Sequence, residues 1–137
     1  KTVVHGWLDR GEPTFKQLWA TASIFAFPSA MENFAIVLAE AMASGLAIVA
    51  TDAGGNREVV GDAGVLVPVG DEAALRKAIV SLMEDEQRRR ALGAAARNRV
   101  ERLFPWPAIA RRYEAVLTQV ATRTRARTSE GGSHGTK

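Results

Sequence analysis

Short, continuously apolar segments alternate along the chain with longer segments in which apolar positions recur at helical spacing. The apolar segments 23–27, 47–51 and 64–67 have strand length, and such segments are typical of parallel strands that are covered on both faces. A fourth strand-like segment, residues 2–5, ends at Gly6. This alternation predicts an α/β fold, with a Rossmann-like parallel sheet and flanking helices.

Helical spacing dominates most of the remaining chain. Asp71 is a predicted N-cap, and Pro107 suits the first turn of the last helix. A run rich in Arg, Thr, Gly and Ser from residue 122 onward predicts disorder, so we expect one domain over 1–121 and a disordered basic tail over 122–137. The predicted helices span residues 15–21, 34–44, 57–60, 72–84, 85–102 and 107 to about 121. The aromatic residues predicted to lie in the core are Trp19, Phe25, Phe27, Trp106 and Tyr113.

The segment 28–45 carries most of the candidate chemistry. Asn33 is its predicted N-cap, a helix is predicted over 34–44, and Gly45 suits the helix C-terminus. Because this helix is apolar nearly all round, we expect it to be buried. A buried helix that carries Glu40 then requires a partner for that carboxylate.

Two carboxylates, Glu32 and Glu40, lie eight positions apart on either side of the predicted helix start. Helix N-termini bind phosphate oxygens through free N–H groups, and carboxylates accept hydrogen bonds from sugar hydroxyls. A nucleotide-diphospho-sugar presents a phosphate group with a sugar at each end. The alternative is that Glu40 forms a salt bridge with an arginine and that Glu32 is only solvated.

The predicted topology brings several loops to one edge of the sheet. The loop after 23–27 and the turn 52–56 both follow strands, and ligands of parallel sheets bind at the carboxyl ends of strands. His5 and Gly6 end the predicted first strand at the same edge, and they are further candidates for lining the cleft. A structural role for either residue is the alternative.

The segment FPSAMENFAIVLAEAMASGLAIVATDAGGNREVV resembles the most characteristic segment of a known enzyme family. The E-x7-E spacing, the residues around it and the T-D-x-G-G turn are similar to those of retaining glycosyltransferases of the GT-B fold, in the group 1 family, also called family 4. The resemblance extends to about Gln119. One departure is Ala35, where the family usually has Gly close to the donor.

The resemblance implies a role for each matching residue. Glu32 would lie beside the donor sugar as the candidate catalytic residue, and Glu40 would hold the ribose hydroxyls. Gly54 and Gly55 would lie near the cleft, although a turn that merely requires glycine is the alternative. The donor would be a UDP- or GDP-sugar, transferred with retention and without a bound metal or other cofactor. The implied substrate-binding residues are Glu32, Asn33, Phe34, Ala35, Ile36, Val37 and Glu40.

The same resemblance indicates that this chain is the C-terminal part of such an enzyme. An N-terminal acceptor-binding domain and a basic pair against the diphosphate have no counterpart here, and Arg10 and Lys16 lie in the wrong segment to replace that pair. We therefore expect weak donor binding, little catalysis alone and an open sheet edge that could support homo-oligomers. The alternatives are a non-catalytic nucleotide-sugar-binding or interaction module and a sugar-nucleotide epimerase, against which the E-x7-E context speaks.

Composition narrows the expected partners. The net charge of +3 comes from residues 122–137, which hold four basic residues against one acidic, so the body holds 14 of each sign. No nucleic-acid partner is therefore expected, and the arginines over 85–102 are interpreted as a solvated, ion-paired face. The absence of cysteine excludes disulfides and thiolate zinc sites. No apolar run approaches the roughly 20 residues that span a bilayer, and we expect a cytoplasmic protein, with contact of the full enzyme to the inner face of the membrane left open.

Overall fold

The computed structural model describes the backbone of residues 2–130 and the side chains as far as residue 122. The chain divides into two compact units between Leu103 and Phe104. The predicted single domain over 1–121 crosses this division.

The first unit contains a three-stranded parallel sheet, as the alternating pattern predicts. The central strand is buried at every residue, whereas the first strand is only half-buried. Ile24 lies beside Ala47, and Ile48 lies beside Gly64. In spatial order the strands are β1 (Ile24–Phe27), β2 (Ala47–Thr51) and β3 (Gly64–Val67).

Helices cover both faces of this sheet. Ala47 and Val49 of β2 pack with Leu82 on one face, while Ile48 points to the opposite face, because side chains alternate along a strand. The helices of the first unit are α1 (Pro13–Thr21), α2 (Ile36–Ala43), α3 (Asn56–Val60), α4 (Glu72–Glu84) and α5 (Glu86–Leu103). No helix formed by the described residues is long and apolar enough to cross a membrane.

A row of aromatic side chains extends from α1 to the outer strand β1. The ring of Trp19 lies 5.6 Å from the rings of both Phe15 and Phe25, and Phe25 lies 6.2 Å from Phe27. These rings are half-buried rather than enclosed. Within the described chain β1 pairs only with β2, so the open sheet edge that the sequence predicts is present at this strand.

The predicted strand over residues 2–5 is wrong. These residues are exposed, and no strand forms before β1 within the described residues. A segment of four residues holds strand conformation only when it pairs with neighbours, and no neighbour lies beside it in the described chain. His5 and Gly6 therefore belong to an irregular segment.

Two expectations for α2 are also wrong. The helix begins at Ile36 with Ala35 at the N-cap, and Asn33 does not cap it. Only one side of α2 is buried, through Leu38, Ala41 and Met42, and Ile36 is exposed. Apolar residues such as Ile36 therefore lie on the exposed side of α2, and composition alone did not predict which side is buried.

The second unit contains α6 (Trp106–Glu130), which is longer than predicted. Disorder was expected from residue 122, but residues 122–130 are helical, since neither Gly nor Pro interrupts the chain between Pro107 and Gly131. The rest of the predicted tail, 131–137, lies outside the described residues. Trp106 and Tyr113, which were predicted to lie in the core, are exposed.

Candidate functional site

Hydrogen bonds from the end of β2 hold the loop that follows β1. The hydroxyl of Thr51 donates to the carbonyl of Ser29 and lies 3.4 Å from the carbonyl of Phe27. Thr51 is itself buried. The loop that leads to Glu32 is therefore fixed at the carboxyl edge of the sheet.

The turn Gly54–Gly55 lies directly against the backbone of Glu32 and Asn33. A Cβ atom on Gly54 would lie 1.6 Å from the Glu32 carbonyl oxygen, and one on Gly55 would lie 1.9 Å from the Asn33 carbonyl oxygen. The Gly55 amide donates to the Glu32 carbonyl at 3.2 Å. Gly54 also has a φ of +47°, which favours glycine. Both glycines are thus required by close backbone contact with the residue pair 32–33, a cause that the sequence did not reveal.

Asn56 connects this turn to the sheet. Its side chain is fully buried, and its Nδ2 donates to the Thr51 carbonyl at 3.0 Å. Its Oδ1 is buried without a hydrogen-bond partner among the described residues. Sequence reasoning missed Asn56 and Thr51, although their positions at the end of a strand and the start of a helix could have identified them as junction residues.

Close contact with the turn also explains why α2 begins late. The backbone of Glu32 and Asn33 runs across the glycines, and Ala35 keeps an extended conformation with φ −75° and ψ 92°. The first amides of α2, on Ile36 and Val37, have no intrahelical acceptor because every helix leaves its first N–H groups unpaired. These amides follow Glu32 by a few residues, and unpaired amides at a helix N-terminus can bind an anion.

Side chains around Glu32 differ in their exposure. Glu32 is half-buried, and its carboxylate has no hydrogen-bond or salt-bridge partner among the described side chains. Asn33 and Phe34 are exposed, whereas Ala35 is buried. The methyl group that replaces the family's usual hydrogen at residue 35 is therefore covered by the chain itself.

Glu40 forms a bidentate salt bridge with Arg10. The two terminal nitrogens of Arg10 donate to Oε1 at 2.6 Å and to Oε2 at 3.2 Å. The side chain of Arg10 is 71% exposed and that of Glu40 is 32% exposed. The arginine partner that sequence reasoning considered for Glu40 is thus present, but the sequence did not identify it as Arg10.

No hydrogen bond among the described residues connects His5 or Gly6 to the other candidate site residues. Gly6 has a φ of +67°, and a Cβ atom there would meet nothing within 4 Å. Open space around Gly6 gives no sign of a packed cleft wall. No group of three or more His, Asp or Glu side chains among the described residues could hold a metal ion.

The basic face of α5 is largely engaged within the chain. Arg89 donates to the carbonyls of Leu82 and Met83, at the end of α4, at 2.7 and 3.2 Å. Arg90 pairs with Glu86, and Arg97 pairs with Glu101. These contacts favour the ion-paired interpretation of this face over a surface for nucleic acid.

Comparisons with known proteins agree with the family resemblance of the sequence. The family model described as "Glycosyl transferases group 1" matches residues 2–99. A phosphatidyl-myo-inositol mannosyltransferase from Mycolicibacterium smegmatis is 44% identical over 91 residues, which cover 62% of this chain and 23% of that protein. The chain spans about a quarter to a third of the length of the curated relatives it matches.

Two solved structures share the fold. A sucrose-phosphate synthase from Thermosynechococcus elongatus matches with a TM-score of 0.73 and 33% identity, over 80% of this chain and 29% of that chain. HepE from Anabaena, solved in complex with UDP, matches with a TM-score of 0.72 and 28% identity, over 79% of this chain and 30% of that chain. The chain belongs to the group 1 family of glycosyltransferases.

Proposed function

We propose that this chain supplies the donor-binding half of a glycosyltransferase that moves a sugar, with retention, from a UDP- or GDP-sugar to an acceptor. The observation that carries the proposal is the placement of Glu32 and Glu40 on either side of the α2 N-terminus, at the carboxyl edge of a parallel sheet. Family membership and the UDP complex of the related HepE structure support it.

Each group at this edge has a role in the proposal. Glu40 accepts hydrogen bonds from the two ribose hydroxyls, because a carboxylate offers two acceptor oxygens and no donor. The amides of Ile36 and Val37 donate to diphosphate oxygens at the positive end of the α2 dipole. The amide of Phe34 and the backbone of Asn33 and Ala35 also lie beside the donor in this proposal.

Glu32 is the proposed catalytic residue. The residue is half-buried, and its carboxylate is unpaired within the described residues. The Gly55 amide fixes the backbone of Glu32 by donating to the Glu32 carbonyl. A negative charge beside the donor sugar would stabilise the positive charge that develops near the anomeric carbon during glycosyl transfer. It would also accept hydrogen bonds from hydroxyls of the transferred sugar.

The remaining parts of the reaction fall to protein outside this chain in the proposal. Departure of a nucleoside diphosphate develops negative charge that needs cationic stabilisation, and neither Arg10 nor Lys16 lies in the segment where the family carries its basic pair. We therefore expect the chain alone to bind a donor nucleotide weakly and to turn over poorly. An acceptor-binding domain, in the same polypeptide or in another, would complete the enzyme.

Calorimetric titration of the chain with UDP and GDP tests the proposal. Glu40→Ala should bind the preferred nucleotide at least tenfold more weakly, a change of about 1.4 kcal/mol, because the ribose loses its acceptor. Glu84→Ala, which removes an exposed carboxylate at the end of α4, is the matched control and should bind as the wild type does. Equal binding by Glu40→Ala and the wild type would contradict the ribose role.

A further inference from the structure

The guanidinium of Arg10 engages both oxygens of the Glu40 carboxylate at once. Bidentate guanidinium–carboxylate contacts have well-defined geometry because two parallel N–H donors meet two acceptors. The carboxylate of Glu40 has no other hydrogen-bond donor among the described side chains. In the nucleotide-free chain one residue therefore engages both of the carboxylate oxygens that the proposed ribose site requires.

A ribose presents the same kind of donor pair. Its two neighbouring hydroxyls can each donate to one carboxylate oxygen, as the two guanidinium nitrogens do here. About one third of the Glu40 side chain remains exposed beside Arg10, so the two donor pairs would meet the same pair of oxygens from the open side of Glu40. We propose that Arg10 occupies the ribose-diol position on Glu40 in the free chain and that a nucleotide binds by displacing it. This inference rests on the proposed function.

Displacement of Arg10 is energetically and sterically feasible. Arg10 lies in the irregular segment before α1, so its side chain can leave Glu40 without breaking a helix or a strand. Its side chain is 71% exposed, so water and salt screen the pair, and we expect even this bidentate contact to contribute no more than about 1 kcal/mol. Breaking this pair should reduce nucleotide affinity only about two- to fivefold. Arg10 thereby lowers the nucleotide affinity of the donor site without blocking the site.

The opposite arrangement makes a different prediction. If Arg10 stayed in place and oriented Glu40 for the ribose, or attracted the anionic nucleotide, its removal would weaken binding. If Arg10 competes with the ribose, its removal must strengthen binding, even though a positive charge is lost near an anionic ligand. The direction of the change therefore separates competition from support.

Calorimetric titration of the full 137-residue chain with UDP and GDP tests the inference. Arg10→Ala should bind about two- to fivefold more tightly than the wild type. Lys16→Ala, which removes one exposed positive charge from α1, should bind no more tightly than the wild type. In a Glu40→Gln background, whose carboxamide offers only one acceptor oxygen, the gain from Arg10→Ala should disappear.

Three results would overturn the inference. Weaker or unchanged binding by Arg10→Ala rejects competition, while a tenfold loss for Glu40→Ala in the same series leaves the proposed donor site standing. A gain that persists with Glu40→Gln shows that Arg10 acts elsewhere. If neither the wild type nor Arg10→Ala binds UDP or GDP, the donor site itself is rejected together with the inference. Thermal melting of every variant confirms that each compared protein is folded.

Discussion

Gly55 shows how one residue without a side chain can position another residue. Its φ of −76° suits any amino acid, so its backbone conformation does not require glycine. The requirement comes from the Asn33 carbonyl oxygen, which would lie 1.9 Å from an added Cβ atom. Because that carbonyl belongs to backbone, it can move away only if the loop carrying Glu32 moves too.

We predict that Gly55→Ala destabilises the chain and displaces Glu32. Overpacking of this kind typically lowers the free energy of unfolding by about 1–3 kcal/mol, and nucleotide affinity should fall because the donor loop shifts. Urea denaturation and calorimetric titration measure the two effects. Gly11→Ala is the control, since its Cβ atom would meet only the side-chain oxygen of Asp9, at 3.1 Å. Wild-type stability in Gly55→Ala would contradict the close packing described above.

At the scale of elements, α3 is fixed at both of its ends. Asn56 ties its start to β2, and Arg99 of α5 donates to the carbonyls of Val59 and Glu58 at 2.9 and 2.8 Å. These carbonyls lie in the last turn of α3, where acceptors lack intrahelical partners. A five-residue helix is marginal alone, so contacts of this kind account for its presence.

We predict that Arg99→Ala is much more destabilising than Arg97→Ala. Arg99 is largely buried and satisfies two carbonyls, and hydrogen bonds from a charged donor contribute about 1.5–3 kcal/mol each. Arg97 only pairs with Glu101 on the exposed face of α5, and such pairs contribute about 0.3–0.5 kcal/mol. Chemical denaturation of the two variants compares the losses, and similar losses would show that Arg99 does not hold α3.

Elements were predictable from the sequence where their cause is local. The bounds of β2, β3 and α4 are as predicted, and Asp71 caps α4 by accepting from the Ala74 amide at 2.8 Å. The start of α2 was not predictable in this way, because it depends on a turn some twenty residues later in the chain. The strand expected over residues 2–5 failed for the same reason, since pairing depends on neighbours that no local pattern reveals.

For the candidate site, the motif identified the acidic residues but not their surroundings. That Glu32 precedes α2 and Glu40 lies within it could be predicted from the sequence, although the helix begins two residues later than predicted. The partner of Glu40 could not, because Arg10 lies thirty residues earlier and nothing in its own segment indicates the contact. The roles of Gly54 and Gly55 likewise became clear only from the distances to backbone atoms.

At the scale of the whole molecule, the sheet formed by the described residues has an open edge at β1, as it does at β3. Within the described chain β1 pairs on one side only, and unpaired strand edges promote association between copies. We predict that the chain self-associates as its concentration rises and that Ala26→Lys, on β1, reduces this self-association. Light scattering across a concentration series measures the average mass, with Ala43→Lys on the exposed side of α2 as the control. Monomeric wild-type protein at high concentration would contradict the prediction.

The row of aromatic side chains between α1 and β1 has a practical consequence for spectroscopy. Trp19 lies within them, whereas Trp7 and Trp106 are 93% and 71% exposed. Iodide should therefore quench the fluorescence of Trp7 and Trp106 first and leave a blue-shifted emission from Trp19. Trp7 lies in the irregular segment before α1, Trp19 lies beside the sheet edge and Trp106 begins α6. Single-tryptophan versions of the chain would therefore provide intrinsic optical reporters for three separate regions.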